Sequence, residues 1–381
     1  MKLLVTGANG FVGKNLTAEL MNISEGKCSF QGIPKGAQVL CADVDTPAES
    51  LKEYCADCDF VFHLAGVNRP KCEEEFAQGN TESLRQVLGF LKEQGNTCPM
   101  ALSSSTQARL QNPYGESKRQ AEALLLEYSR ETGADVYIFR FPGIYGKWCR
   151  PNYNSVVATF CHNIAHGLPV RIDAPDKEIK LVYIDDVVRS LLLCTAGTVQ
   201  KNEDGFCAVS PEYTVTLQRL ADLLTSFKEG RHRLQVPKLS DSFVSSLYAT
   251  YLSYLPKEDF SYPLNTHSDY RGSFTEIIRT SDRGQFSVNI SKPHITKGNH
   301  WHHTKNEKFC VVSGSGVIRL RRIDCEEVLE YFVSGDKIEV VDIPTGYTHN
   351  IENLGDTDMV TFMWASEAFD PKYPDTFFLE V

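Results

Sequence analysis

The sequence predicts two folds in series: an α/β doubly wound parallel sheet over residues 1–250 and an all-β barrel over residues 264–381, with a connector at 251–263. Three observations carry that reading. The chain has 381 residues, more than the about 250–300 that one hydrophobic core usually serves. Up to residue 250, short apolar runs alternate with stretches of helical periodicity, as strands and helices do when a parallel sheet is covered on both faces. Beyond it, short β-type segments follow one another across glycine-bearing turns, the spacing of a barrel or sandwich.

In order along the chain, residues 2–6 read as a buried parallel strand. Helical apolar spacing follows over 11–20. A loop rich in Ser, Gly, Pro and Lys fills 23–38, ahead of a second strand at 39–42 that Asp43 closes. A third apolar run covers 60–65. Residues 100–102 form a strand leading into Ser103, Ser104 and Ser105. A helix with a leucine-rich face covers 114–128, and 136–140 is a further strand. The connector is rich in Tyr, Pro and Ser. After it, β segments lie at 286–290, 309–312, 317–320, 328–332, 338–341 and 359–363, with turns at 313–316 and 334–336.

Composition is that of a globular protein, 42% hydrophobic and 23% charged, with no biased tract. A formal net charge of −10 argues against general affinity for nucleic acid or an anionic membrane, and leaves room for a local basic cleft. No apolar run approaches the ~20 residues of a membrane span. The chain enters a strand at once, so no signal peptide is expected. Twelve scattered cysteines point to reduced thiols and a cytoplasmic protein. Cys55-x-x-Cys58 is the one close pair, and without a second pair at zinc-ribbon spacing it is a weak metal or redox motif.

Two sets of residues carry chemistry. In the first, Thr6-Gly7-Ala8-Asn9-Gly10-Phe11-Val12-Gly13 spans the turn between the first strand and the first helix. Glycines there let the backbone approach a dinucleotide pyrophosphate, which the free N–H groups of a helix N-terminus bind. Tyr114 and Lys118 are four apart on a helix and share a face. A cationic Lys beside a phenol favours the phenolate and lowers its pKa. Tyr114 is thereby placed to protonate the carbonyl oxygen that hydride attack turns into an alkoxide. The serine triplet offers a hydroxyl to the same oxygen. Asp43, ending the second strand, is placed to accept from a ribose 2′-hydroxyl and to repel a 2′-phosphate, which favours NADH.

With Asp59-Phe-Val-Phe-His-Leu-Ala-Gly66, Arg140-Phe-Pro-Gly-Ile-Tyr-Gly146 and Tyr183-Ile-Asp-Asp-Val187, these motifs make residues 1–250 similar to the extended short-chain dehydrogenase/reductase family that acts on nucleotide sugars, a Rossmann-type fold. The resemblance implies Ser105 as the catalytic hydroxyl, with Ser104 as the alternative. It implies Tyr114 as the acid, and Lys118 as the residue that tunes it and holds the nicotinamide ribose. The cofactor is implied to lie along Gly7, Asn9, Gly10, Phe11, Val12, Gly13 and the stretch His63, Leu64, Ala65 and Gly66. The resemblance implies NADPH, so together with Asp43 both NADPH and NADH stay open. Gly143 departs from the family, which has an Asn in contact with substrate there.

The second set is His300-x-His302-x4-Glu307-x6-Gly314, followed by Pro344-x-Gly346-x-x-His349-x-x-x-Asn353. His300 and His302 alternate along a strand and point to one face. Glu307 arrives on the next strand, and His349 on a hairpin opened by Pro344 and Gly346. Imidazole and carboxylate ligands suit zinc (Zn2+) or another first-row divalent metal. His303 offers an alternative register on the other face. Both motifs resemble those of the cupin family, with a longer stretch at 335–344. A metal-free use also stays open, in which Gly298-Asn299-His300 supplies a base as in sugar-nucleotide 3,5-epimerases. Lys297, Tyr347 and Asn350 flank the motifs as candidate substrate contacts. Arg319 and Arg321 share a face near Arg322, where they meet a diphosphate or form a solvated rim.

The order of the two domains resembles the bifunctional enzymes of bacterial capsule and O-antigen synthesis that make the N-acetyl-L-fucosamine precursor. This implies a UDP-linked 2-acetamido-2,6-dideoxy-4-hexulose, a 4-keto-6-deoxy amino sugar, as substrate. The cupin is implied to epimerise C3. The N-terminal domain is implied to reduce the C4 ketone with NAD(P)H to UDP-2-acetamido-2,6-dideoxy-L-talose. Cupin habit implies a homodimer. Three rivals differ from this reading: a reductase whose cupin is only a dimerisation module, a nucleotide-sugar 4-epimerase or dehydratase that retains its cofactor, and a cofactor-binding regulator, which normally lacks the Tyr-x-x-x-Lys pair.

Overall fold

The structure, a computed structural model, describes residues 1–70 and 72–381. It packs as two units, Met1–Leu224 with Ala249–Leu255, and Thr225–Tyr248 with Pro256–Val381. The chain therefore passes between the units more than once, not at a single junction near 250.

Up to the end of the first unit's main run the elements are β1 (Lys2–Thr6), α1 (Phe11–Glu25), β2 (Gln38–Ala42), α2 (Ala48–Asp57), β3 (Phe60–His63), α3 (Glu74–Phe76), α4 (Ser83–Glu93), β4 (Met100–Ser105), α5 (Pro113–Thr132), β5 (Val136–Phe141), β6 (Gly143–Tyr145), α6 (Val156–Ala165), β7 (Glu178–Tyr183), α7 (Ile184–Thr195), β8 (Glu212–Thr216) and α8 (Leu217–His232). Strands β2-β1-β3-β4-β5 form one sheet in that order, parallel throughout. Leu3, Leu4 and Val5 are all fully buried because both faces of the sheet are covered. Leu3 and Val5 pack with Leu16, Leu20 and Ile23 of α1 and with α7. Leu4 faces the other way, toward α4 and α5. The strand order reverses around β1, so the crevice at the carboxyl ends of β1 and β3 is the topological switch point where ligands of such sheets bind. A smaller sheet, β6-β7-β8, follows.

The doubly wound class is as expected, and several boundaries differ from the sequence reading. β3 ends at His63, leaving Leu64, Ala65 and Gly66 in the loop above the sheet. The serine triplet lies inside β4 and not after it. The helix carrying Tyr114 begins one residue earlier. Asn112 caps it, its side chain accepting from the Gly115 N–H, and Pro113 occupies the first turn. Tyr251, read as connector, is a fully buried residue of a helix.

The remaining elements are β9 (Gln235–Val236), α9 (Ser242–Leu252), β10 (Thr266–Asp269), β11 (Gly272–Thr280), β12 (Gln285–Ser291), β13 (Thr296–Trp301), β14 (Glu307–Ser313), β15 (Ser315–Arg322), β16 (Val328–Ser334), β17 (Val340–Ile343), β18 (Tyr347–Asn353), β19 (Met359–Ala365) and β20 (Phe377–Phe378). Two sheets, β10-β11-β12-β19-β14-β17 and β16-β15-β18-β13-β20, make the β unit. Phe309, Val311, Ile318, Leu320, Ile343, Ile351 and Met359 fill an apolar core. By contrast, the buried positions of β12 alternate through Gln285, Ser287, Asn289 and Ser291. This is an all-β cupin-like barrel, as predicted. β17 sits two residues later than expected, and β10, β11, β13, β18 and β20 add strands where no apolar run marked them. No helix among the described residues is long and apolar enough to cross a membrane.

Candidate active sites

In the first unit, Gly7 turns the chain out of β1 with φ +67, a conformation that favours glycine. A Cβ there would stand 2.7 Å from the Ala65 nitrogen, so the turn and the loop after β3 are in close backbone contact. A Cβ on Gly13 would stand 2.1 Å from the Gly7 oxygen. Only bare backbone lets α1 pack so tightly on the turn. The N-terminus of α1 has no side-chain cap and no acidic residue in its first turn, which leaves its N–H groups free for an anion. Asn9, Phe11 and Val12 lie on the same turn. Asp43 follows β2 and accepts from the Asn9 N–H at 2.7 Å, which draws it to the glycine turn.

At the carboxyl end of β4, alternation separates the two candidate hydroxyls. The Ser104 hydroxyl donates to Glu122 at 2.5 Å, and Glu122 in turn is paired with Arg140 at 2.6 Å. Ser105 faces the other way: its Oγ accepts from the Gln107 N–H at 3.2 Å and it is hydrogen-bonded to Tyr114. Lys118 Nζ donates to the Ser103 carbonyl at 3.1 Å and lies 5.9 Å from the centre of the Tyr114 ring. A Cβ on Gly66 would come within 3.0 Å of Lys118 Nζ. Ser105, Tyr114, Lys118 and the loop Leu64–Ala65–Gly66 are thus brought together.

The electrostatics differ from the simple expectation. Burial raises the Tyr114 phenol above its ordinary value, opposed only by the bond to Ser105. Lys118 is itself fully buried, and burial pushes its amine down to about 8. His63 is also buried, with Nδ1 3.0 Å from Thr6 Oγ1, and burial and then Lys118 press it down to about 3, so it stands neutral. At Gly143 in β6, a Cβ would meet the Leu181 side chain at 2.9 Å, so the family's Asn does not fit here without a shift.

Sequence reasoning missed Asn80. It lies in a π-helical turn, Ala77–Glu82, of the kind often found at functional sites. Its amide donates to Ser117 Oγ at 3.0 Å and to the Val67 carbonyl at 3.1 Å, and its oxygen accepts from the Val67 N–H at 3.0 Å. It ties the loop after Gly66 to the helix bearing Tyr114. No local motif marks such a residue.

In the β unit, His300, His302, Glu307 and His349 offer ligand atoms that all lie within 4.8 Å of one another. His300 on β13 stands directly opposite His349 on β18, across a bulge at Gly298. Asn299 in that bulge adopts φ +58. Glu307 Oε2 lies 3.1 Å from His349 Nε2 and 3.5 Å from His302 Nε2. Yet His302 Nε2, Glu307 Oε2 and both His349 nitrogens lack a well-aligned hydrogen-bond partner. Buried polar atoms left in this state cost free energy. Three imidazoles and a carboxylate converging on one point without satisfying each other fit a divalent metal ion. Burial, then His349, holds His300 down to about 4, leaving a neutral imidazole. Glu307 stays ionised: burial opposes this, but His302 and His349 outweigh it and hold the carboxyl well below its usual range.

His303 is outside the cluster, its ring 4.4 Å from Trp301 and 5.2 Å from Phe377. Lys297 turns inward and donates to Asn289 Oδ1 and the Ile290 carbonyl, both at 2.8 Å. Asn350 donates to Asn299 Oδ1 at 2.9 Å, and its own oxygen is unpartnered. Tyr347 packs against the apolar core. The diphosphate role imagined for the arginines is not supported. Arg319 is paired with Glu330 and Glu352, Arg321 bonds the carbonyls of Cys325 and Glu380, and Arg322 is paired with Asp324. Cys58 Sγ lies 3.6 Å from Cys98 Sγ, and the Cys55-x-x-Cys58 pair forms no metal cluster among the described residues.

Residues 3–204 match the model of the NAD dependent epimerase/dehydratase family, and residues 267–377 match the polysaccharide biosynthesis C-terminal domain. The chain belongs to the NAD dependent epimerase/dehydratase family. That membership implies a nicotinamide cofactor, and the glycine turn and uncapped α1 fit one. As a family member the chain is 42% identical, over 99% of its length and 98% of the relative's, to a UDP-2-acetamido-2,6-beta-L-arabino-hexul-4-ose reductase of Pseudomonas aeruginosa. Among solved structures it is similar to the capsular polysaccharide assembling protein CapF of Staphylococcus aureus, with 53% identity, TM-score 0.91 and full coverage of both chains. A UDP-glucose 4-epimerase of Thermotoga maritima, 19% identical with TM-score 0.52, covers 67% of this chain and 98% of its own and shares the fold.

Proposed function

We propose that this family member acts on a UDP-linked 2-acetamido-2,6-dideoxy-4-hexulose in two steps. The barrel epimerises C3, and the parallel-sheet unit then reduces the C4 ketone with NAD(P)H to UDP-2-acetamido-2,6-dideoxy-L-talose. The meeting of Ser105, Tyr114 and Lys118 beside the Gly66 loop at the switch point carries the reductase half. The name of the Pseudomonas aeruginosa relative, a reductase of a UDP-linked 4-ketosugar, supports the substrate class.

A bound reduced nicotinamide supplies hydride to the C4 carbon. The chain's residues do the rest. The glycine turn and the first N–H groups of α1 hold the pyrophosphate. Ser105 and Tyr114 fix the C4 oxygen, and Tyr114, kept protonated by burial, gives its proton to that oxygen as the carbonyl becomes an alcohol. Lys118 stands behind them, where its charge lowers the cost of negative charge on the phenol as that proton leaves.

At C3 the neighbouring ketone acidifies the C–H bond, so inversion passes through an enolate whose charge fixed donors stabilise. A divalent ion, zinc by its ligand set, held by His300, His302, Glu307 and His349 supplies Lewis acidity toward such a ketone or braces the strands. The implied homodimer and cytoplasmic location belong to the same reading.

Incubation with the ketosugar in D2O, with and without NADPH or NADH, tests both halves by NMR. Deuterium at C3 without cofactor, and net oxidation of cofactor at 340 nm with it, are expected. Cofactor that cycles without net loss would mean a 4-epimerase or dehydratase. Asp43→Asn is expected to shift the preference toward NADPH by about tenfold in kcat/KM, the equivalent of about 1.4 kcal/mol of charge repulsion relieved.

A further inference from the structure

We propose that Asp375 is a positioning residue of the barrel's metal site, and that the segment following β19 is part of that site through it. The inference rests on reading His300, His302, Glu307 and His349 as ligands. Two of them, His302 and Glu307, are joined by the short loop 303–306 between β13 and β14. That loop is folded around one carboxylate. Asp375 Oδ1 accepts from the His303 N–H at 2.9 Å. Its Oδ2 accepts from the N–H groups of Thr304 and Lys305 at 2.9 and 3.0 Å, and from the Thr304 hydroxyl at 3.1 Å. A single side chain therefore satisfies three consecutive backbone donors and sets the span between two ligands.

The main chain of the same residue acts on His302 directly. His302 Nδ1 is hydrogen-bonded to the Asp375 carbonyl. A carbonyl only accepts, so Nδ1 carries the proton, and in the neutral ring the lone pair is at Nε2. Nε2 is the atom that faces Glu307 and lacks an aligned partner. A carbonyl behind a histidine ligand fixes its tautomer and orientation, and such outer partners typically carry about 10–100-fold in metal affinity.

The placement is strained and held from several sides. Asp375 has φ +39, where residues other than glycine are uncommon. Lys305, nearly fully buried, donates from Nζ to the adjacent Pro374 carbonyl at 3.1 Å. Beyond it, β20 pairs with β13, setting Phe378 opposite His300, and the Leu379 N–H donates to the Asn299 carbonyl at 3.0 Å. Sequence spacing hides all of this, because Asp375 lies 73 residues from His302.

The test is the affinity of the full chain for Zn2+ by competition with a chromophoric chelator, and the d–d absorption of the Co2+-loaded protein. Both are measured well below the unfolding temperature, with far-UV circular dichroism as a check on fold. Asp375→Ala is expected to weaken Zn2+ binding about 10–100-fold and to change the Co2+ spectrum, with Asp375→Asn in between. Asp375→Gly relaxes the backbone but removes the carboxylate. It is expected to behave as the Ala variant, and it serves if the Ala variant does not fold. Unaltered Zn2+ affinity and Co2+ spectrum in folded Gly and Asn variants, beside a wild type that binds tightly, would overturn the positioning role alone. A wild type that takes up neither ion would overturn the metal reading and this inference with it.

Discussion

At the scale of single residues, the reductase site turns on what burial does to two ionisable groups. Tyr114 is held above its ordinary pKa, so it is protonated across the neutral range and ready to act as an acid. Replacing it with Phe keeps the ring against Phe76, 5.6 Å away, and removes the hydroxyl with its proton. Tyr114→Phe is expected to lower kcat for ketosugar reduction by about 10²–10⁴ while cofactor binding, followed by fluorescence, is unchanged. Lys118 is pushed down to about 8. Its cationic form is complete below that pH and is lost as pH rises through it. A pH profile of reduction should therefore fall above about 8 with the slope of one proton. Lys118→Arg, slower overall, should lack that limb because a guanidinium stays charged there. A limb that persists unchanged in the Arg variant would assign the titration to another group.

At the scale of elements, β4, α5 and β5 are locked by Ser104, Glu122 and Arg140, with Glu122 only 5% exposed. Glu122→Ala leaves the Arg140 guanidinium half-buried without its carboxylate. The expected cost is about 3–5 kcal/mol in urea unfolding, together with lower activity, because Tyr114 rides on α5. The parallel strands were legible because strands buried on both faces read as unbroken apolar runs. The extents of β13 and β18 were not legible, since Thr-Lys-Gly-Asn-His-Trp and Tyr-Thr-His-Asn-Ile-Glu-Asn carry no apolar alternation, and only the histidine motifs placed a strand and a hairpin there. Their inward positions are spent on the histidine cluster and polar contacts, so the histidine spacing pointed to the site but not to the strands' bounds. The resemblance favoured Ser105 over Ser104, and pleat alternation turns the Ser105 hydroxyl toward Tyr114 and that of Ser104 toward Glu122. Asn80 and Glu122 were invisible because they act across 37 and 18 residues, through contacts that exist only once the chain is folded. How far burial raises the phenol was hidden for the same reason: sequence spacing puts Lys118 beside Tyr114 but does not reveal how much solvent both have lost.

At the scale of the whole molecule, the two proposed chemistries have a forced order. The C3 hydrogen is acidic only while the C4 ketone is present, so inversion precedes reduction, and reduction then fixes whatever configuration C3 has reached. The buried cores of the two units draw on separate stretches of the chain. The cores of the parallel sheet draw on residues up to Cys207, and that of the barrel on Phe309 to Met359. Effects at sites that share no partners generally add. A double dissociation is therefore expected. The His300→Ala, His302→Ala double variant should lose C3 deuterium exchange by about 100-fold or more, yet oxidise NADPH within about twofold of wild type when given ketosugar already inverted at C3. Tyr114→Phe should do the reverse, exchanging C3 deuterium at the wild-type rate without consuming cofactor. Exchange that survives loss of both histidines would reduce the barrel to a scaffold and move the acid–base chemistry elsewhere in the chain. Loss of both activities in both variants would mean that the two chemistries cannot be assigned separately to the two units.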